Sequence, residues 1–471
     1  MRLIDAQYTQ TPFYGWPKMT AWLRQPSYAV NHKRVQGENM NARLIHLLFG
    51  TAIALGIACS LLVWPIATRA APPAALPMSA PAPLAATTAV TFTVNTNLDG
   101  VFASACANNT PDHCTLREAI LEADVTSGAT IILPGLLAIE RYQLTIPPAG
   151  TDGGTVGDLN ANAAMIIVGK PTIQHPSVVI ESLISDRVFN IGNGVPVNMS
   201  NVAIRIGKAD IGGGIYNRGT LSLSNVTVIS NTASSGGGGI YNAGNLTLND
   251  STVISNTATN AGGGIYNGAN LTLNDSTVSG NTSGDAGGIF NGDTLALVNS
   301  TISANTTSNA GGGIYNRGVA NLTFGTLNGN NASAGGGIYE NINGFLTQTV
   351  TLRNTIVANS TGGNCATQNI ALQSNGYNLS SDETCGSSFN QAGDRNNANP
   401  NLGPLANNGG PTLTQMPQFP SPAMDAIPLN TNGCTTLTTD QRGFPRAADG
   451  KCDIGAVENG VLLLHLPLIK R

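Results

Sequence analysis

Charge is scarce in this chain. Only 10% of its residues are Asp, Glu, Lys or Arg, and the formal net charge is −4. That excludes a basic nucleic-acid footprint and a field strong enough to steer a highly charged partner. Histidines number five, and the cysteine spacings fit no zinc pattern, so no metal and no cofactor is expected. Helical periodicity is missing from the repeat region described below. Also missing is a C-terminal series of ten-residue alternating strands, which argues against a self-contained autotransporter barrel.

Glycine is plentiful, at 56 residues, and it recurs in register. Glycine, isoleucine and an aromatic return at Ile215, Ile240, Ile265, Ile289, Ile314 and Ile338, with spacings of 25, 25, 24, 25 and 24 residues. So tight a period marks a solenoid, in which each coil contacts mainly its neighbours. In one unit, Leu246-Thr247-Leu248 alternates with strand period. Asn249-Asp250 breaks it, Thr252-Val253-Ile254 resumes it, and Asn256 opens the next turn. Each unit is therefore expected to hold three short strands and three turns. The predicted fold is an all-β, single-stranded parallel β-helix with coils stacked at about 4.8 Å.

Stacking turns equivalent residues into columns. The isoleucines form an inward column. Tyr216, Tyr241, Tyr266, Phe290, Tyr315 and Tyr339 form an aromatic column, followed by Asn217, Asn242, Asn267, Asn291 and Asn316. A second polar column reads Asn225, Asp250, Asp275, Asn299 and Asn354. A third reads Asn231, Asn256, Asn281, Asn305, Asn330 and Asn359. Stacked asparagines satisfy turn backbones along such ladders. Upstream, Val188-Phe189-Asn190 is matched to the Ile-Tyr-Asn slot, and Ile166 to Val168 and Val178 to Ile180 to earlier strands. Downstream, Val350 to Val357 makes a further coil.

The start of the chain carries an export pattern. Residues 1–39 form an upstream extension, with Met40 an alternative start. Arg43 precedes the apolar run Leu44 to Val63, giving a signal peptide over 40–70. An uncleaved anchor is the rival reading. Cys59 is a signal-core residue, and 71–89 is an Ala/Pro linker. Six cysteines remain. Six allow 15 connectivities, but they fall into local pairs, Cys106 with Cys114, Cys365 with Cys385 and Cys434 with Cys452. An exported chain with an even count favours disulfides over metal.

Cys114-Thr115-Leu116-Arg117-Glu118-Ala119-Ile120 closely resembles the motif that names the CSLREA domain, found at the start of many secreted bacterial β-helix proteins. The Gly-Gly-Ile repeats resemble those of polymorphic outer-membrane proteins. Leu402 to Thr412, Ser421 to Ala426, Asp440 to Arg446 and Cys452 to Glu458 look like a choice-of-anchor class Q domain. The resemblance implies a right-handed β-helix, export, and surface attachment or release. It implies no catalytic activity. The domain plan is then an N-terminal cap and first coils over 90–170, repeats over 171–360, C-terminal coils and cap over 361–460, and a short apolar tail over 461–471. That tail is too short to span a bilayer. It resembles the Leu-Pro-Leu sorting tails of some exported proteins, which implies cell-envelope sorting machinery as a partner. A final strand docked on the rod is the other reading.

Candidate chemistry is sparse. Asp250 and Asp275 share a column one coil apart, near the spacing of a retaining glycosidase pair. Asn225 and Asn299 in the same column favour a turn ladder instead. Asp285, Asp293, Arg218 and Arg317 are too scattered for a site. Calcium at Asp382-Glu383 or Asp394 lacks support, since the period is wrong for a β-roll. Arg117 with Glu118, and Asp440 with Arg442, Arg446 and Asp453, are read as end-cap ion pairs. Asn-x-Ser/Thr triplets such as Asn225-Val226-Thr227 would be glycosylation acceptors in a eukaryotic secretory path, and in a bacterium are more simply turn and ladder residues. The aromatic column, Tyr216, Tyr241, Tyr266, Tyr315 and Tyr339 with Phe290, is the candidate binding strip for a surface glycan or a host or neighbour-cell protein. The expected function is a secreted or cell-surface, adhesin-like structural rod without catalysis. A carbohydrate-active lyase or hydrolase is the alternative.

Overall fold

Short β-type runs cannot bury their apolar face alone, so each pairs with its own copy one coil on. Ile240–Asn242 lies between Ile215–Asn217 and Ile265–Asn267, residue for residue and parallel. Asn245–Asn249 and Thr252–Ile254 do the same. Repetition builds sheets of 11, 10 and 9 strands. Together they form a right-handed parallel β-helix, the hand that parallel crossovers take. The computed structural model describes residues 90–134, 140–149, 154–170, 178–341, 349–368, 371–447 and 450–459. The expected extension, signal peptide, linker and apolar tail lie outside the described residues.

One expectation needs correction. Coils in the middle of the rod hold four strands, not three. Lys208–Ile211, Thr232–Gly236, Thr257–Ala258, Thr282–Ser283 and Thr306–Thr307 form a further five-stranded parallel sheet. The Thr-rich stretch after each turn asparagine is long enough to pair backbone before the glycine corner. At that corner Gly237 takes φ +65°, and a Cβ on Gly238 would meet Thr257 O at 2.4 Å. Only glycine fits both.

Inside a coil, Ile240, Leu246, Leu248 and Val253 are at most 1% exposed. Each contributes roughly 1.5–3 kcal/mol by burial. The asparagine column also points inward. Asn217, Asn242, Asn267 and Asn291 each donate Nδ2–H to the Oδ1 of the next asparagine at 2.7 Å, ending on Asn316. A second internal ladder runs from Asn231 to Asn330. Asn359 does not extend it. It sits one position early, exposed, in the left-handed turn conformation at φ +52°. A hydroxyl ladder was not foreseen: Val226, Ser251 and Ser276 each donate N–H to the hydroxyl of the serine one coil on. Its signal was present, as Ser251, Ser276 and Ser300 follow the turn residue in three consecutive coils.

The upstream match is off by one. Phe189, not Val188, pairs with Ile215, so Phe189 fills the inward slot and Asn190 the aromatic one. Phe189 is fully buried in that slot, as Leu159 is one coil earlier.

The motif at Cys114 opens a helix, α1 (Leu116–Thr126), which plugs the N-terminal end. Thr115 caps it by accepting from Glu118 N–H at 3.0 Å. The Thr-x-x-Glu spacing was the legible signal. Arg117 does not pair with Glu118. It is buried, ion-pairs with Asp99 at 2.7 Å and donates to the carbonyls of Gly154, Gly157 and Asp158. Neighbouring residues on a helix face different ways, and Glu118 instead accepts from Phe102 and Ser104 N–H.

Beyond the last coil the chain turns back and lies along the side of the rod. This cap holds a short antiparallel pair, Ile427–Pro428 with Lys451–Cys452. It shares a small apolar core with the rod, in which Ala423, Ile427 and Ile454 cluster with Phe324, Ile356 and Leu379.

Candidate functional site

The aromatic column is realised as a stack on the outer face of the nine-stranded sheet. Tyr216, Tyr241, Tyr266, Tyr315 and Tyr339 are half-buried and Phe290 is buried. Ring centroids of Tyr241 and Tyr266 are 4.6 Å apart at 4°, and those of Tyr266 and Phe290 4.7 Å apart at 12°. The column loosens at both ends: Tyr315 and Tyr339 tilt by 46°, and Tyr216 meets Tyr241 edge-on at 79°. Offset-stacked and edge-to-face pairs add about 0.5–1.5 kcal/mol each beyond area burial. In the middle of the stack ring faces cover one another, so a ligand there meets ring edges and phenol groups. Burial and the neighbouring phenols push the Tyr241 hydroxyl above its ordinary pKa. At the edge-on end the guanidinium carbons of Arg187 and Arg218 lie 5.4 and 5.3 Å from the Tyr216 centroid.

Asp250 and Asp275 occupy one column as expected. Their φ angles are +50° and +51°, and those of Asn201, Asn225, Asn299 and Asn354 lie between +45° and +58°. The column is a run of left-handed turn residues, the conformation that Asn and Asp tolerate best. Phe324 also belongs to it, at φ +51° and fully buried, with Arg446 stacked over its ring at 4.0 Å. Asp250 is exposed, whereas Asp275 lies under the cap. Thr412 Oγ1 donates to Asp275 O at 3.0 Å. Asp275 Oδ1 is buried without a hydrogen-bond partner among the described residues. Burial pushes its carboxyl up to about 6; the Asn299 amide opposes that rise, and Asp250 and Asp440 add to it.

The cap grips a ladder of threonines. Gln441 accepts from Thr301 Oγ1 at 2.6 Å, and its amide donates to Thr277 Oγ1 at 2.9 Å. Thr277 Oγ1 donates to Leu413 O, and Ala456 N–H donates to Thr326 Oγ1. Asp440 pairs with Arg442 at 2.7 Å, as read from the sequence. Arg446 has a different partner from those expected: it pairs with Glu458 at 3.3 Å, both groups buried. Asp453 accepts from the N–H groups of Asp425 and Asn459 instead. Acidic and basic groups thus do converge from the end loops onto one side of the rod, but in the interior of a seam.

Each of the three cysteine pairs is bonded: Cys106–Cys114, Cys365–Cys385 and Cys434–Cys452. Asp382 accepts from Asn364 and Thr384, and Asp394 from Ser374, Asn378 and Gln391, so both tie turns together. No cluster of three or more metal-ligating side chains occurs among the described residues.

No family model matches the sequence, and no curated protein is similar to it. Among solved structures, the chain is similar to the pectate lyase Pel9A, with a TM-score of 0.45 at 14% identity over 79% of this chain and 97% of that one.

Proposed function

We propose that the chain is an exported structural rod of the CSLREA and choice-of-anchor kind, acting at the cell surface or outside the cell as an adhesin-like module without catalysis. The observation that carries this reading is the aromatic face. It repeats one side chain per coil over six coils, each ring in contact with the next. Such a face suits retention of an extended partner, a surface glycan or a neighbouring protein. Three disulfides agree with an oxidising compartment. A glycan and polysaccharide panel on the purified chain, scored for retention and for product release in the same wells, tests it. Retention without release is expected.

A second reading has one observation in its favour. Asp275 carries an unpartnered oxygen and a raised carboxyl, beside Asp250. Raised carboxyls mark general acids as well as buried seams. Product release lost on Asp275→Asn, with the cap still docked, would replace the adhesin reading by a carbohydrate-active enzyme.

A further inference from the structure

The residue after each ladder asparagine points outward beside the aromatic stack. In register along the rod these residues are Arg218, Ala243, Gly268, Gly292 and Arg317. Contact with the rings fixes their side of the sheet. A Cβ on Gly268 would lie 3.8 Å from Tyr266, and one on Gly292 3.6 Å from Phe290. Two exposed arginines thus stand four rungs apart, about 19 Å at the usual strand spacing. Between them the floor carries nothing larger than the Ala243 methyl, and it is walled on one side by Tyr241, Tyr266 and Phe290.

Neither arginine has an ion-pair partner among the described residues, although six other arginines do. Arg218 lies over the Tyr216 ring and donates to Asn190 Oδ1. The nearest carboxylate in sequence along the strip is Asp293, exposed beside Gly292 and accepting from Thr294 Oγ1. Arg353 and Arg395 also stand outside these ion pairs, but Arg218 and Arg317 share one column of the aromatic face.

We propose that this strip binds a linear acidic polysaccharide, its carboxylate or sulfate groups held by Arg218 and Arg317 and its sugar rings lying on the glycine floor against the ring edges. This deepens the adhesin reading and rests on it. Guanidinium forks suit planar and tetrahedral oxyanions. An acidic peptide fits less well, because strand addition needs free backbone groups. Here Ala243, Gly268, Gly292 and Arg317 N–H all donate one coil back, at 2.7–2.8 Å.

Affinity electrophoresis of the purified full chain through gels holding polygalacturonate, chondroitin sulfate, dextran or poly-glutamate tests the strip. Retardation is expected in the first or second gel and not in dextran. Arg218→Ala with Arg317→Ala should weaken it by about tenfold or more, as loss of charge-assisted contacts predicts. Arg218→Lys with Arg317→Lys should restore most of it, and Asp293→Asn should strengthen it. Both arginines are exposed, so an unchanged melting temperature of the double variant serves as the fold control. No retardation by either acidic glycan, retardation equal in the double alanine variant, or equal retardation by poly-glutamate would each overturn the proposal. Product release would overturn the non-catalytic reading instead and leave the binding result intact.

Discussion

Arg446 Nη2 donates to Asn299 Oδ1 at 2.9 Å, joining the C-terminal cap to a rod coil 147 residues earlier. The same guanidinium pairs with Glu458, donates to the carbonyls of Gly455 and Ala456 and stacks on Phe324. One side chain therefore links the cap's final segment, a turn asparagine and an inserted phenylalanine. The cap docks where the turn column departs from its own repeat.

Removing that guanidinium takes the buried Glu458 carboxylate's ion-pair partner away and leaves it the Asp453 N–H; breaking a buried pair from one side costs about 3–5 kcal/mol. Arg446→Met is expected to release the cap while the coils persist. Limited proteolysis should cut between residues 399 and 459 well before the rod. Arg446→Met combined with Glu458→Gln should recover part of the loss. Cleavage kinetics unchanged from the wild type would show that the seam does not depend on this network.

Protonation supplies a second test. Burial raises Glu340 to about 7 and Asp275 to about 6. Their folded values exceed the unfolded ones, near 4.5 and 3.8, so the folded chain binds more protons between those limits. The contribution is fully present below the unfolded value and is lost as pH rises through the folded one. The contribution of these two groups should therefore decline between about pH 3.8 and 7, and Glu340→Gln should flatten the slope in its upper half. Denaturant midpoints measured across that range decide it; a Glu340→Gln profile parallel to the wild type's would refute the assignment.

The cap's disulfide gives a third expectation. Cys434–Cys452 closes a loop with a sequence separation of 18, on a segment whose described residues hold one two-residue strand pair and the isolated bridge between Thr439 and Pro445. Loops of that size gain about 3 kcal/mol from closure. Cys434→Ser with Cys452→Ser should lower the first thermal transition and leave the rod's intact. A single unshifted transition in reducing and oxidising buffer alike would contradict this.

The rod was readable because repetition converts a local pattern into long-range contacts. Once Ile240 pairs with Ile265, every other register in the coil follows, and so do the Ile, Tyr and Asn columns. The reading failed where a residue breaks its column. Phe189 was placed by its aromatic type rather than by alternation. Asn359 was placed by identity, although the turn had shifted by one. Phe324 stands in a turn slot only because Arg446 and the cap cover it, a contact across 122 residues that no local spacing reveals. In sequence, Arg218 and Arg317 are too scattered to suggest a site. Their relation to the floor of small residues between them becomes visible only when the coils are in register.

The internal asparagine ladder allows a prediction that separates buried polar groups from exposed ones of identical chemistry. Asn267 Nδ2 donates to Asn291 Oδ1, Ala269 O and Thr294 O, and Asn267 Oδ1 accepts from Asn242 Nδ2. The Asn242–Asn267–Asn291 links are fully buried. Asn267→Leu keeps the branching of the side chain but strands the Asn291 Oδ1 acceptor, while Asn242 Nδ2 keeps Gly244 O and Asn270 O. An orphaned buried group costs about 1–3 kcal/mol. Asn270, three residues away, donates to Asn245 Oδ1 at 2.8 Å on the exposed face, where water replaces the lost partner. Asn270→Ala should cost little, within about 0.5 kcal/mol. In a solenoid the damage is confined to neighbouring coils, since stability there is nearly a sum of repeat and interface contributions. Hydrogen exchange should therefore show faster opening of the strands around Asn242, Asn267 and Asn291 in Asn267→Leu, with protection unchanged two or more coils away and throughout Asn270→Ala. Equal effects of the two substitutions would mean that the ladder contributes nothing beyond its place on the sheet.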